Sequence, residues 1–264
     1  MIEKPMPMRQ PLAEKPLVEA ILEVKWALTS PAPGIQIDPH HKILVGRLYD
    51  RIASTYPEHE QLPTATMPDE IVGQTVMHRF RVAKNDWPLI QIGPGILTVN
   101  DTDTYVWLDF RDRCITAVTK LFESHPKQED LRVESLVLRY IDAVPFDYEK
   151  EDVFEYLRDK LKVVVTLPVS LFSGIGVSSR PHHFNWQSSF RCSTPSGAVS
   201  LGFATGHRRR EKVLLWETVV QSTGEAVPSM PEGFDSWLDS AHDITDDWFF
   251  KLIEGELERR FRGE

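Results

Sequence analysis

The feature that most constrains what this chain can fold into is an order of segments legible twice: strand, helix, three strands, helix. In the first pass Val18, Ala20, Leu22, Val24 and Trp26 alternate with Glu19, Ile21, Glu23 and Lys25, the period-two pattern of a strand with one strongly apolar face. Residues 31–39 hold three prolines and a glycine and read as a loop. Val45, Leu48, Tyr49 and Ile52 recur at helical spacing and predict a helix over residues 40–55. A polar connection over 56–70 leads to strands over 74–83, 89–92 and 96–99, the last two joined by a turn at Gly93-Pro94-Gly95. Asp101 or Thr102 is placed to cap a helix with the stripe Tyr105, Leu108, Ile115, Val118 and Phe122. The stripe slips between Leu108 and Ile115, which predicts a bend.

The second pass opens on a long strand over 131–144, followed by a helix marked by Val153, Leu157 and Leu161. Alternating strands over 184–191, 198–205 and 213–221 precede a final helix over 234–260, with Trp237, Ala241, Ile244, Trp248 and Leu252 on one face. Letters echo in the same order: Val18-Glu19-Ala20 against Val133-Glu134-Ser135, and Trp107-Leu108-Asp109 against Trp237-Leu238-Asp239. The fold class expected is therefore α+β, a mostly antiparallel sheet backed by helices on one face. Residues 1–264 form one compact unit, with halves 16–125 and 131–260 arising from a duplicated β-α-β-β-β-α unit. An undivided domain with coincidental spacing is the alternative.

Composition narrows the function classes. A hydrophobic content of 41% and a charged content of 26% lie in the globular range. No apolar run reaches the ~18 residues of a membrane span, and residues 1–10 lack the apolar centre of a signal peptide. Two cysteines, Cys114 and Cys192, are too few for a disulfide framework. These features predict a cytoplasmic protein with no membrane contact. The net charge of -9 argues against general nucleic-acid binding, which needs a basic footprint.

No Gly-Lys-Ser/Thr phosphate loop, G-x-S-x-G elbow, C-x-x-C or H-E-x-x-H motif is present, and no cofactor is expected. Two clusters remain. Asp239, Asp243 and Asp247 lie at i, i+4 and i+8 on one helix face, with His242 and Asp246 on the adjacent one. A hard cation held by His242, Asp243 and Asp246 would offset the repulsion. Solvation and the helix dipole offset it without one, and no second ligand set stands elsewhere in the sequence. His207-Arg208-Arg209-Arg210 falls between two strands, where Arg208, Arg209 and Arg210 form either an anion- or partner-binding loop or plain solvated surface. The pairs His40-His41 and His182-His183 read as solvated or capping histidines.

Three stretches resemble a sporadically distributed bacterial protein family of about this length that carries no assigned activity. The first is Pro16 to Val24. The second runs from Gly93-Pro94-Gly95 through Tyr105 and Trp107 to Leu138-Arg139-Tyr140-Ile141-Asp142. The third is Ala241-His242-Asp243 with Phe249 and Ile253. The resemblance implies a bacterial or phage source and one compact unit, and adds no mechanism. The leading expectation is a non-catalytic binding or regulatory protein that recognises a protein partner or a second copy through the free sheet face or loops, with nucleic acid reachable only through the arginine loop. The alternatives are a metal-dependent phosphodiester hydrolase using His242 and Asp246, with the arginine loop holding phosphate, and a small-ligand carrier with a pocket between sheet and helices lined by some of the seven tryptophans.

Overall fold

A computed structural model describes residues 12–68, 73–102, 104–174 and 176–264. Eleven strands and five α-helices stand among these residues. The first part contains β1 (Leu17–Trp26), β2 (Thr29–Ala32), β3 (Ile35–Ile37), α1 (His41–Ile52), β4 (Glu58–Gln61), β5 (His78–Arg81), β6 (Leu89–Gly93), β7 (Ile96–Asp101) and α2 (Trp107–Ser124). The second contains β8 (Val133–Pro145), α3 (Val153–Leu161), β9 (Asn185–Ser193), β10 (Ser196–Arg208), β11 (Glu211–Thr223), α4 (Phe234–Ile253) and α5 (Glu256–Arg262).

Nine strands form one antiparallel sheet in the order β4-β5-β6-β7-β1-β8-β11-β10-β9, with helices packed on one face. β1 and β8 pair at its centre. Outward from β1 run β7, β6 and β5, and outward from β8 run β11, β10 and β9, so the two halves share one strand order. β4 is an extra edge strand, and β2 and β3 form a separate two-stranded sheet.

The alternation in β1 sends Ala20, Leu22, Val24 and Trp26 under the helices, each at most 2% exposed. Two apolar clusters share that layer. One joins β1, β6, β7, α1 and α2 to the first half of α4, and the other joins α3, β10, β11, α5 and the end of α4. Trp248 touches both. It and Ile244 are only half-buried, whereas Trp237 and Leu252 are buried.

The structure corrects several expectations. α2 begins at Trp107 without a side-chain cap. Asp101 instead faces the core and is ion-paired with Arg113. The buried stripe of α2 is Phe110, Cys114, Ala117, Val118 and Leu121, while Leu108 is exposed, so the apparent slip vanishes. The last helix stops at Ile253 and resumes at Glu256, because Gly255 adopts φ 104°, open to glycine at little cost. The connection over 56–70 contributes β4, and the proline-containing loop contributes β2 and β3. His41 is neither solvated nor a cap; it is buried in the first turn of α1.

Candidate functional site

The final helix turns His242 inward. Its ring stacks on Trp107 at 3.6 Å between centroids and 12° between planes. Its Nδ1 lies 3.2 Å from the Tyr140 hydroxyl, which lies 2.8 Å from that of Tyr105. β8 supplies Tyr140, α4 supplies His242, and the segment entering α2 supplies Tyr105, so the chain of polar atoms crosses the seam between the halves. Two residues along β8 on the same face stands Asp142, 4% exposed and opposite Trp216.

Burial governs the protonation of this seam. It pushes His242 down to about 3 and Asp142 up to about 8. It also raises the phenols of Tyr105 and Tyr140. At neutral pH the imidazole and both phenols are uncharged, and Asp142 is mostly protonated.

Of the residues proposed with His242, Asp243 is exposed and Asp246 half-buried. Among the described residues no group of three or more histidines, cysteines and carboxylates is arranged to hold a metal ion. The repulsion along the helix is met by cations. Asp239 takes a bidentate contact from Arg111 of α2, at 2.5 and 2.8 Å, and Asp247 pairs with Lys251 at 2.5 Å.

Arg208, Arg209 and Arg210 lie at the tip of the β10–β11 hairpin. The strands expected over 198–205 and 213–221 both extend toward each other, and the connection is a two-residue turn, since β10 reaches Arg208 and β11 starts at Glu211. Arg209 and Arg210 are exposed and adopt φ 48° and 80°, while Arg208 is half-buried. Left-handed backbone costs a non-glycine residue ~1–2 kcal/mol, and such turns favour Asn-Gly. Replacing Arg209 and Arg210 by Asn and Gly is therefore expected to stabilise the fold by about 2 kcal/mol, read by urea denaturation.

The face of the sheet away from the helices carries a pocket that sequence reasoning missed. A pocket of about 300 Å³ has a floor of Ile21, Ile96, Thr98, Asn100 and Val137, with Gln91 beside them. Gln74, Thr75 and Val76 form its rim, and Glu23 and Arg139 bring charge to it. The rim chain passes so close to β6 that a Cβ on Gly93 would sit 1.8 Å from the Thr75 carbonyl oxygen, which requires glycine there. Gln74 holds the rim by donating to the Trp26 carbonyl at 2.9 Å.

A polar row runs along this face. Arg79 donates to Gln91 Oε1 at 3.0 Å, and Gln91 Nε2 lies 3.2 Å from Thr98 Oγ1 and 3.3 Å from Asn100 Oδ1. Thr98 donates to Asn100 Oδ1 at 2.7 Å, and Asn100 Nδ2 donates to Glu19 at 2.8 Å. A guanidinium only donates and an ionised carboxylate only accepts, so the two ends set the direction of every amide between them. Burial raises the Glu19 carboxyl, opposed by the Asn100 bond. Cross-strand register builds the row, aligning Arg79, Gln91, Thr98 and Glu23 on four adjacent strands.

No protein-family model matches the chain, and no curated protein matches it. Among solved structures it is similar to the di-domain ARO/CYC StfQ from the steffimycin biosynthetic pathway. The TM-score is 0.20 and the identity 9%, over 92% of this chain and 99% of that one. A likeness at that level carries nothing about fold or function.

Proposed function

We propose that this chain is a non-catalytic binding or regulatory protein whose helix-free sheet face takes up a small ligand. The observation that carries the reading is the pocket over β6, β7, β1 and β8, whose floor sets Ile21, Ile96 and Val137 beside a polar row of fixed direction. A concave apolar site with a few oriented polar groups is how proteins hold small molecules. The seam lies on the other face, where His242, Tyr105 and Tyr140 join the halves through hydrogen bonds, and it takes no part in this reading. The hydrolase reading has less support, since His242 faces Trp107 and Tyr140 while Asp243 faces solvent. The shared strand order of the halves supports their origin in a duplicated unit.

The test is a fragment screen by two-dimensional NMR on the full chain. Fragments are expected to shift the amides of Ile21, Thr98 and Val137. The variant Ile21→Trp, which fills the floor from a half-buried position, is expected to lose those shifts and keep the native fold by circular dichroism. Fragment binding confined to other surfaces, or none, refutes the proposal.

A further inference from the structure

Resting on that reading, we infer that the pocket takes a zwitterion of the α-amino-acid class, with Arg139 receiving the carboxylate and Glu23 the ammonium. β1 and β8 pair so that Ile21 faces Arg139 and Glu23 faces Val137. Glu23 and Arg139 are therefore diagonal neighbours on one face, ~7–8 Å apart at the backbone, and both line the pocket. One opposite charge of each sign at that separation matches a molecule that carries both charges close together.

Each of the two is held sideways by a residue outside the lining. Glu23 pairs with Lys25 at 2.7 Å and Arg139 with Glu217 at 2.8 Å. All four side chains are between 26% and 44% exposed, which makes these solvent-screened surface pairs that contribute little. Exchanging them for a ligand sheltered in the pocket costs little. Arg139 meets Glu217 through Nε at 2.8 Å, and a guanidinium released from such a pair can give a carboxylate two parallel N–H contacts.

The rest of the pocket suits the rest of such a molecule. Ile21, Ile96, Val137 and Val76 offer an aliphatic surface for a side chain. Thr98, Asn100 and Gln91 are already oriented by Arg79 and Glu19, so they need no rearrangement on binding. The charge pattern also discriminates against close relatives. An acid lacking the amine leaves Glu23 with Lys25 alone, and an amine lacking the acid leaves Arg139 with Glu217 alone, so each single-charge analogue gains one of the two contacts and not both.

The experiment is calorimetric and NMR titration of the full chain with leucine, the acid formed by removing its amine, and the amine formed by removing its carboxylate. Leucine is expected to bind at least about tenfold tighter than either, with shifts at Ile21, Thr98 and Val137. In Arg139→Gln the advantage over the amine is expected to disappear, and in Glu23→Gln the advantage over the acid. Equal or tighter binding of either single-charge analogue at the same residues overturns the zwitterion and leaves the pocket reading standing. If neither these three compounds nor neutral fragments perturb the lining, both fall.

Discussion

Replacing Asp142 by asparagine is expected to stabilise the protein by about 4 kcal/mol at pH 7 and by nearly nothing at pH 4. Burial holds this carboxyl in its protonated form up to about pH 8, whereas in the unfolded chain it ionises near its ordinary value. Protonated Asp142 is thus favoured in the folded state. Its stabilising contribution is complete below the unfolded pKa and is lost at ~1.4 kcal/mol per pH unit as pH rises toward 8. His242 has the opposite sense. Burial holds it neutral down to about pH 3, so its contribution is present above its ordinary pKa and is lost as pH falls toward 3. Between roughly pH 4 and 6.5 these two slopes cancel, while His78, held down to about 4 by burial, adds a slope of the same sense as that of His242, so wild-type stability should fall as pH drops from 6.5 to 4. His242→Gln should remove one of the two acid-side slopes, flattening the curve between pH 4 and 6.5 and leaving stability falling from there to pH 8. Asp142→Asn should leave stability falling only on the acid side. Urea denaturation across that range reads all three curves. A pH-independent difference between wild type and Asp142→Asn would show that the carboxyl is ionised in the fold.

Asp38→Ala is expected to cost about 3–5 kcal/mol, from three donors orphaned at once. The 7%-exposed carboxylate accepts from Trp26 Nε1 at 3.0 Å, from the Gly95 amide at 3.2 Å and from the His40 amide at 2.9 Å. It ties the end of β1, the β6–β7 turn and the start of α1 together. Trp26 is 2% exposed, so its indole N–H has no water to turn to. Chemical denaturation measures the loss. Asp38→Asn should recover part of it, because an amide oxygen can keep one donor while its NH₂ group opposes another. A loss below about 1 kcal/mol would mean that water satisfies these donors.

Much of the architecture was legible because local pattern and burial coincide. β1, β10 and β11 alternate in sequence and alternate in burial. α1 and α3 bury the residues that recur at helical spacing, such as Leu48, Ile52, Leu157 and Leu161. β4 escaped notice because Glu58–Gln61 is polar and wholly exposed, and only backbone pairing to β5 makes it a strand. One signal at the seam was available. In β8 the inward phase runs Leu136, Leu138, Tyr140, Asp142 and Val144, and a carboxylate in an apolar phase marks a perturbed group. The stretch was read as structural because its alternation is that of any strand.

By itself the sequence determined where the long strands and most of the helices lie and, in β1, β10, β11, α1 and α3, which face is apolar, because those properties depend on neighbours two to four positions away. The tertiary structure alone decided what meets what. Tyr105, Tyr140 and His242 are separated by 35 and 102 positions and touch only because α2 and α4 lie over β8. Glu23, Arg139 and Thr98 share a pocket only because β1 lies between β7 and β8 in one particular register. A shift of one residue in either pairing would turn those side chains to the opposite face. Local periodicity carries no record of register between distant strands, so the site is written in the pairing and not in the pattern.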